Sequence, residues 1–227
     1  MGKLTVSGLR AVLLLAVLNS AVAEKIYFMV GGNVTLELQP PVSEPITTIL
    51  WKHGLNLLAE WVDGEVDLTY YGMFNGRTTL NTTTGRLDIK TMSGADAGLF
   101  TVEINSKVQA QSFEAEAIKE VPRPEILVRP LICSSASDRC TLTCEGDTEE
   151  AEPVTYSWKE GDGEWKQSGK DLDIIKNGTA HVKTFSCRMT NPVSEEESGP
   201  EVSPFNVARS FESCLNGVGN CQETDMS

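Results

Sequence analysis

The sequence predicts an all-β protein built from two tandem antiparallel sandwiches. Short segments alternate between apolar and polar residues, turn-forming Gly, Pro, Asn and Asp separate them about every 8 to 12 residues, and no segment sustains a helical period. A strand with this alternation buries one face and exposes the other, as a two-layer sandwich requires. Segments of this kind are NVTLELQ, TILWKH, GRLDIKT, LFTVEI, CTLTCEG, VTYSWKE and KTFSCRM.

The N-terminal residues 1–23 have the pattern of a secretory signal peptide. Lys3 and Arg10 supply positive charge, residues 11–18 form an apolar core too short to span a bilayer, and the sequence AVA ends in a small-residue cleavage site. The mature chain is therefore expected to begin near Glu24 and to be extracellular.

The C-terminal residues 213–227 form a polar, cysteine-containing tail. After the signal peptide no apolar run of 18 or more residues follows, and the end of the sequence lacks the hydrophobic stretch of a lipid-anchor signal. The sequence as given predicts a soluble protein, or one cut short of its membrane anchor.

Composition narrows the classes of partner. Without the signal peptide, 17 basic residues stand against 32 acidic ones, a net charge of −15. Nucleic acid is excluded as a partner because its binding needs a basic surface. All six cysteines follow residue 130, so disulfides are expected in the second half of this secreted chain only.

The chain contains two cycles of the same pattern. Each cycle has an inward-facing residue on an early strand, then a tryptophan, then an inward-facing residue on a late strand: Leu38, Trp51 and Val102, followed by Cys144, Trp158 and Cys187. The first cycle spans 64 residues and the second spans 43. The longer spacing leaves room for the extra C′ and C″ strands of a variable-type domain, and the shorter spacing favours a constant-type domain without them.

The segment EVPRPE, residues 120–125, marks the boundary between the two cycles. Its two prolines favour extended backbone and remove hydrogen-bond donors. The predicted domains are therefore a variable-type domain over 24–121 and a constant-type domain over 122–212.

The sequence GADAGLFTVEI, residues 94–104, identifies the fold of the first domain. Asp96 and Gly98 occupy two positions of the Asp-x-Gly-x-Tyr-x-Cys pattern of an immunoglobulin F strand, with Phe100 at the tyrosine position and Val102 at the cysteine position. The matching cysteine position on strand B holds Leu38, so both ends of the usual disulfide are aliphatic. A buried aliphatic pair recovers part of what a disulfide contributes, and the sequence predicts an immunoglobulin-like sandwich without its intersheet disulfide.

In the second domain, Cys144–Cys187 is predicted to be the intersheet disulfide, packed over Trp158. The remaining four cysteines allow three pairings. Cys140 is in phase with Cys144 on strand B, which favours a Cys140–Cys214 bridge. The alternative is a pair of local loops, closed by Cys133–Cys140 and Cys214–Cys221.

No pattern in the sequence predicts catalysis, a cofactor or a bound metal. The two histidines, His53 and His181, lie in different predicted domains, and the sequence has no His-x-x-x-His pair, phosphate-binding glycine loop or Gly-x-Ser-x-Gly elbow. A small-molecule substrate is not expected.

Together these features resemble the lymphocyte adhesion and signalling lymphocyte activation molecule (SLAM-related) family of the immunoglobulin superfamily. The first domain lacks the disulfide, IYFMVGGNVTLEL and ILWKHGLNLLAEW are similar to the A to C′ strands of its ligand-type members, and SCRMTNPVSEEES (186–198) carries the family's Cys-x-x-x-Asn-Pro-Val-Ser stretch. The resemblance covers residues 24 to about 212. Family members are usually anchored by a helix or a lipid, which this sequence does not contain.

The resemblance implies that a partner binds the G-F-C-C′-C″ face of the first domain. Since Trp51 and Val102 point inward, their sequence neighbours point outward. The residues expected to bind the partner are Lys52, His53, Glu60, Asp63, Glu65, Asp67, Thr101 and Glu103.

Three sequons predict N-glycosylation at Asn33, Asn81 and Asn177. The first two fall on the opposite sheet or its loops, which would leave the expected binding face free of sugar.

The sequence therefore predicts an extracellular immune-cell adhesion or co-stimulatory ligand or receptor. Its partner is expected to be an immunoglobulin-superfamily receptor on leukocytes, bound homophilically or heterophilically. One alternative is a secreted decoy or regulator without an anchor, and another is a secreted structural or carrier module.

Overall fold

The computed structural model describes residues 23–206, which form two β-sandwiches. The predicted signal peptide and the cysteines at 214 and 221 lie outside the described residues. The strands of the first sandwich are β1 (Glu24–Phe28), β2 (Val34–Leu36), β3 (Thr48–His53), β4 (Asn56–Val62), β5 (Val66–Tyr70), β6 (Thr78–Leu80), β7 (Leu87–Ile89), β8 (Gly98–Ile104), β9 (Lys107–Val108) and β10 (Phe113–Ala117).

The first sandwich has the topology of a variable-type immunoglobulin domain. Its large sheet runs in the order β1-β10-β8-β3-β4-β5, with β9 paired to β8, and its small sheet runs β2-β7-β6. Strand β1 pairs with β10 in parallel, whereas the other pairs are antiparallel. Strands β4 and β5 are the predicted C′ and C″ strands, and they extend the sheet that contains β3 and β8.

Trp51 fills the centre of the first sandwich. Its side chain is fully buried, and its indole Nε1 donates a hydrogen bond to the carbonyl oxygen of Gly85 at 3.0 Å. Gly85 has φ of +78°, a backbone conformation that favours glycine, and a Cβ there would also lie close to Ile104 Cδ1, at 3.2 Å. The predicted aliphatic pair is confirmed as part of this core, since Leu38 and Val102 are only 4% and 1% exposed.

Asp96 is a buried carboxylate that ties the base of β8 to the opposite sheet. Arg77 Nη1 and Nη2 donate to its two carboxylate oxygens at 2.9 and 2.5 Å, and the backbone N–H of Ser93 donates at 2.7 Å. Burial by itself raises the pKa of Asp96, but the hydrogen bonds from Arg77 and Ser93 outweigh burial and hold the pKa below its ordinary value. The aspartate of the sequence motif is therefore one half of a bidentate ion pair.

The second sandwich follows the linker. Its elements are β11 (Glu125–Arg129), β12 (Arg139–Glu145), β13 (Thr155–Glu160), β14 (Lys166–Ser168), β15 (Asp171–Ile175), the one-turn helix α1 (Lys176–Thr179), β16 (Thr184–Asn191), β17 (Ser194–Glu197) and β18 (Glu201–Val202). One sheet runs β11-β12-β15, and the other runs β14-β13-β16-β17 with β18 paired to β16. The prediction that no extra strand fits here is wrong in one respect, because the three-residue β14 pairs with β13 in the C′ position.

The Cys144–Cys187 disulfide joins the two sheets of the second sandwich, as predicted. Both cysteines are fully buried, and Cys187 lies directly opposite Trp158 in the β13–β16 register. The bridge closes a long stretch of chain and stabilises the fold chiefly by restricting the unfolded chain.

The preferred Cys140–Cys214 pairing is wrong, because Cys140 is bonded to Cys133. A turn in which the Cys133 N–H donates to the Pro130 carbonyl oxygen at 2.8 Å brings Cys133 to the start of β12. The Cα atoms lie 6.1 Å apart, within the usual range for a disulfide. Closing a short local loop costs less entropy than recruiting a cysteine from the distant tail.

Replacing Asp96 by asparagine should destabilise the first domain by about 3 kcal/mol at pH 7, because Arg77 would lose its buried partner. The pKa of Asp96 is depressed in the folded state, so its contribution is present above about pH 4 and is lost as pH falls through the folded pKa. Calorimetry of both proteins between pH 7 and pH 2 should show a smaller loss of melting temperature in Asp96→Asn. An equal pH dependence in the two proteins would contradict this role.

A non-reducing peptide map should recover Cys133 joined to Cys140 and Cys144 joined to Cys187, because these pairs have bonding geometry in the fold. The same digest after reduction is the control. A peptide joining Cys140 to Cys214 would contradict the described pairing.

Candidate binding face of the first domain

The outer face of the large sheet carries a continuous row of side chains across five strands. Strand register places these residues side by side: Thr69 on β5, Glu60 on β4, Leu50 on β3, Glu103 on β8 and Val108 on β9. Neighbouring strands lie about 4.8 Å apart, so one row spans about 20 Å. An apolar side chain, Leu50, therefore sits between two carboxylates.

Lys52 and Thr101 lie in the next row of the same face, directly opposite each other on β3 and β8. Lys52 Nζ reaches diagonally to Glu103 Oε1 at 2.5 Å, and their side chains are 35% and 28% exposed. An ion pair with this exposure contributes about 0.2 to 1 kcal/mol to stability. The pair fixes the position of the charges more than it stabilises the domain.

Glu60 is held in place by a tyrosine that directly follows β5. The Tyr71 hydroxyl donates a hydrogen bond to Glu60 Oε2 at 2.8 Å. This hydrogen bond, together with burial and the charge of Glu60, raises the pKa of Tyr71 above its ordinary value. Glu60 thus accepts a hydrogen bond from Tyr71 and still presents its carboxylate on the face.

Asp63, Glu65 and Asp67 extend the acidic surface to the edge of the sheet. Asp63 and Glu65 flank Gly64, whose φ of +71° makes the tight β4–β5 turn, and both are exposed. Asp67 lies on β5, two residues before Thr69, and is also exposed. These three carboxylates sit at the rim, away from the Leu50 row.

His53 lies on the inner side of β3 and not on the outer face with Lys52, so its role in binding stays a prediction that the geometry of the face does not support. Its ring packs on the core aromatics Phe100 and Phe74, with centroids at 4.7 and 5.3 Å. Its Nε2 lies 3.1 Å from the Ala97 carbonyl oxygen. The two-residue period explains this placement, because His53 lies on the same side of β3 as the buried Trp51.

Several residues of this face were not predicted from the sequence. Val108 and Leu99 are 70% and 38% exposed and supply apolar contact area. At the other edge, Lys25 on β1 pairs with Glu116 on β10 at 3.5 Å. Strand alternation could have found Leu99, but the β1–β10 pair joins the two ends of the domain in parallel and leaves no local signal.

The charge of this face is strongly unbalanced. The lysines at outward-pointing positions of the described strands, Lys25 and Lys52, are both engaged in ion pairs on the face itself, whereas Lys107 of β9 pairs with the inward-facing Ile104. The carboxylates on the face and its β4–β5 turn are Glu60, Asp63, Glu65, Asp67, Glu103, Glu114 and Glu116. The face therefore presents a negative potential over a modest apolar area.

The sequons lie away from this face. Asn33 precedes β2 and Asn81 follows β6, and both side chains are exposed beside the small sheet. Their side-chain oxygens accept backbone hydrogen bonds from Thr91 and Thr83, at 3.2 and 2.9 Å. Asn177 is exposed on α1 of the second domain. Glycosylation at these positions remains a prediction.

Comparison with known proteins supports the fold and the resemblance. The human T-lymphocyte surface antigen Ly-9, a SLAM-family protein, is 24% identical over 179 residues, which is 76% of this chain and 27% of Ly-9. Rat Roundabout homolog 1 is 25% identical over 177 residues, or 74% of this chain and 10% of that protein. The chain thus spans only a fraction of the length of the curated relatives it matches. No protein-family profile matches the sequence.

Solved structures show the same fold. The CD2-binding domain of CD58 (lymphocyte function-associated antigen 3) has a TM-score of 0.56 at 22% identity, covering 80% of this chain and 98% of that one. Murine CEACAM1b has a TM-score of 0.53 at 19% identity, covering 80% of this chain and 93% of that one. Within residues 23–206, no helix has the length and apolar character needed to cross a membrane.

Proposed function

We propose that this two-domain immunoglobulin chain is an extracellular adhesion or co-stimulatory protein that binds an immunoglobulin-superfamily receptor on leukocytes through the outer face of β3, β4, β5, β8 and β9. The observation that carries the proposal is an acidic, sequon-free sheet face whose lysines are already neutralised. The similarity to a T-lymphocyte surface antigen and to a CD2-binding domain supports the same role.

The charge imbalance favours a heterophilic partner with a basic face. Two copies of the same acidic face would bring like charges together, which costs several kcal/mol when the charges become desolvated. A face rich in lysine or arginine would instead pair with Glu60, Glu103 and the rim carboxylates. Such a contact gives fast association and selectivity with modest affinity for each molecule.

Weak individual contacts are suited to the boundary between two cells. Many copies confined to opposed membranes bind with an avidity far above the affinity of one pair. Leu50, flanked by Glu60 and Glu103, supplies an apolar centre around which the charged residues determine selectivity.

Charge reversal at Glu103 should weaken binding with little loss of stability. Glu103→Lys should weaken binding of the multimerised chain to leukocytes by at least about tenfold, because it places a positive charge against a basic partner, whereas Lys52→Glu makes the face more acidic and should leave binding at least as strong; each variant should lose at most about 1 kcal/mol for the broken surface pair. Flow cytometry against a leukocyte panel and thermal unfolding of the same samples measure the two effects.

The double variant Lys52→Glu/Glu103→Lys separates partner contact from internal pairing. It restores an ion pair in reversed orientation, so stability should recover while binding stays lost. The matched controls are Arg86→Glu and Asp88→Lys, which break a comparable ion pair at 2.8 Å on the opposite sheet and should leave binding intact. Normal binding by Glu103→Lys would reject the proposal.

Binding should also weaken as ionic strength rises, because the attraction acts between surface charges. Raising salt from about 0.05 M to about 0.3 M should slow association onto captured leukocyte membranes and change dissociation much less. A salt-independent association rate would show that the acidic excess plays no part in recognition.

A further inference from the structure

At the start of the linker between the two domains, consecutive residues donate backbone hydrogen bonds to one domain or the other. The N–H of Ile118 donates to the carbonyl oxygen of Phe28 in the first domain at 3.0 Å. The N–H of the next residue, Lys119, donates to the carbonyl oxygen of Glu150 in the second domain at 2.8 Å. Two consecutive residues are therefore bonded to different domains.

Asn191 holds the linker from the side of the second domain. Its side chain is 7% exposed, and its Nδ2 donates to the carbonyl oxygens of Lys119 and Ala151 at 2.7 and 2.9 Å. Its Oδ1 accepts from the N–H groups of Val193 and Ser194 at 3.1 and 2.8 Å, and from the Ser194 hydroxyl at 2.9 Å. Both donors and both lone pairs of this amide are thus used.

Ser194 makes a second attachment two residues further along. Its Oγ accepts a hydrogen bond from the N–H of Val121 at 2.8 Å while its hydroxyl donates to Asn191. Val121 is itself only 3% exposed. Asn191 and Ser194, which flank the turn between β16 and β17, therefore hydrogen-bond to Lys119 and Val121 of the linker and also to each other.

The next linker residue, Pro122, packs closely against the second domain. A Cβ on Gly146 would lie 2.8 Å from Pro122 Cγ and 3.1 Å from Met189 Cε, so glycine is needed for this approach. Proline also fixes its own φ, which removes a backbone rotation at this point. Hydrogen bonds and packing act on neighbouring residues of the same short segment.

We infer that Asn191 and Ser194 are an interdomain clamp that locks residues 119–121 and holds the two domains in one fixed orientation. A buried carbonyl or N–H group left without its partner carries an uncompensated desolvation penalty, so opening the linker is unfavourable at each of these contacts. Both clamp residues belong to the Asn-Pro-Val-Ser segment, residues 191–194, which is part of the family resemblance. It concerns domain geometry and holds whether or not the proposed face binds a receptor.

Residual dipolar couplings of the full chain test the clamp. In the wild type, one alignment tensor should fit the couplings of both domains. Asn191→Asp replaces two donated hydrogen bonds by repulsion between oxygen atoms, and Ser194→Ala removes the acceptor of the Val121 N–H. In both variants the common tensor should be lost, and each domain should require its own.

Two matched controls use the same chemistry away from the linker. Asn206 Nδ2 donates to the Val182 carbonyl oxygen at 2.6 Å, and Ser198 Oγ accepts from the Cys187 N–H at 2.9 Å, so Asn206→Asp and Ser198→Ala perturb equivalent bonds in the same domain. Both controls should keep the common tensor. A lower melting temperature of the second domain with a single tensor retained in Asn191→Asp or Ser194→Ala would overturn the inference, because the two residues would then stabilise only their own turn. If Asn191→Asp does not fold, the alignment tensors of Ser194→Ala alone test the inference.

Discussion

Burial of Trp51 between the two sheets of the first domain is the constraint on which the rest of this structure depends. The ring takes the space beside which related sandwiches place a disulfide, and Leu38 and Val102 complete the apolar core around it. Its one polar atom is satisfied by Gly85, so the residue is buried without a polar penalty. The Arg77–Asp96 pair then closes the end of the sandwich that the missing disulfide cannot reinforce.

The same inward position of Trp51 determines the composition of the outer face. Because strand side chains alternate, fixing Trp51 and Val102 inside places Leu50, Lys52 and Glu103 outside in adjacent rows. A bulge after Trp51 lets β4 bury both Leu58 and Ala59 before alternation resumes with Glu60 on the outer face. The core and the candidate binding face are thus two consequences of one strand register.

The parts of this molecule that follow from local alternation could be predicted from the sequence. The buried roles of Leu38 and Val102 and the Cys144–Cys187 bridge depend on strand period and spacing alone. The partner of Cys140 could not be predicted, because it depends on how the loop after Pro130 folds back. The Lys25–Glu116 pair depends on a parallel pairing of distant strands, which no short window of sequence contains. His53 is a different case, because the strand period alone places it on the side of β3 that holds Trp51, where its ring packs on Phe74 and Phe100.

Because no residue separates Ile118, bonded to the first domain, from Lys119, bonded to the second, the junction should respond to force in a particular way. Tension applied to the first domain would enter the second directly through the backbone at this junction, with no extensible segment to absorb it. The hydrogen bonds from Asn191 and Ser194 would share that tension with the main chain. The junction would therefore resist bending until these individual hydrogen bonds break. A junction of this kind would transmit small displacements of one domain directly to the other.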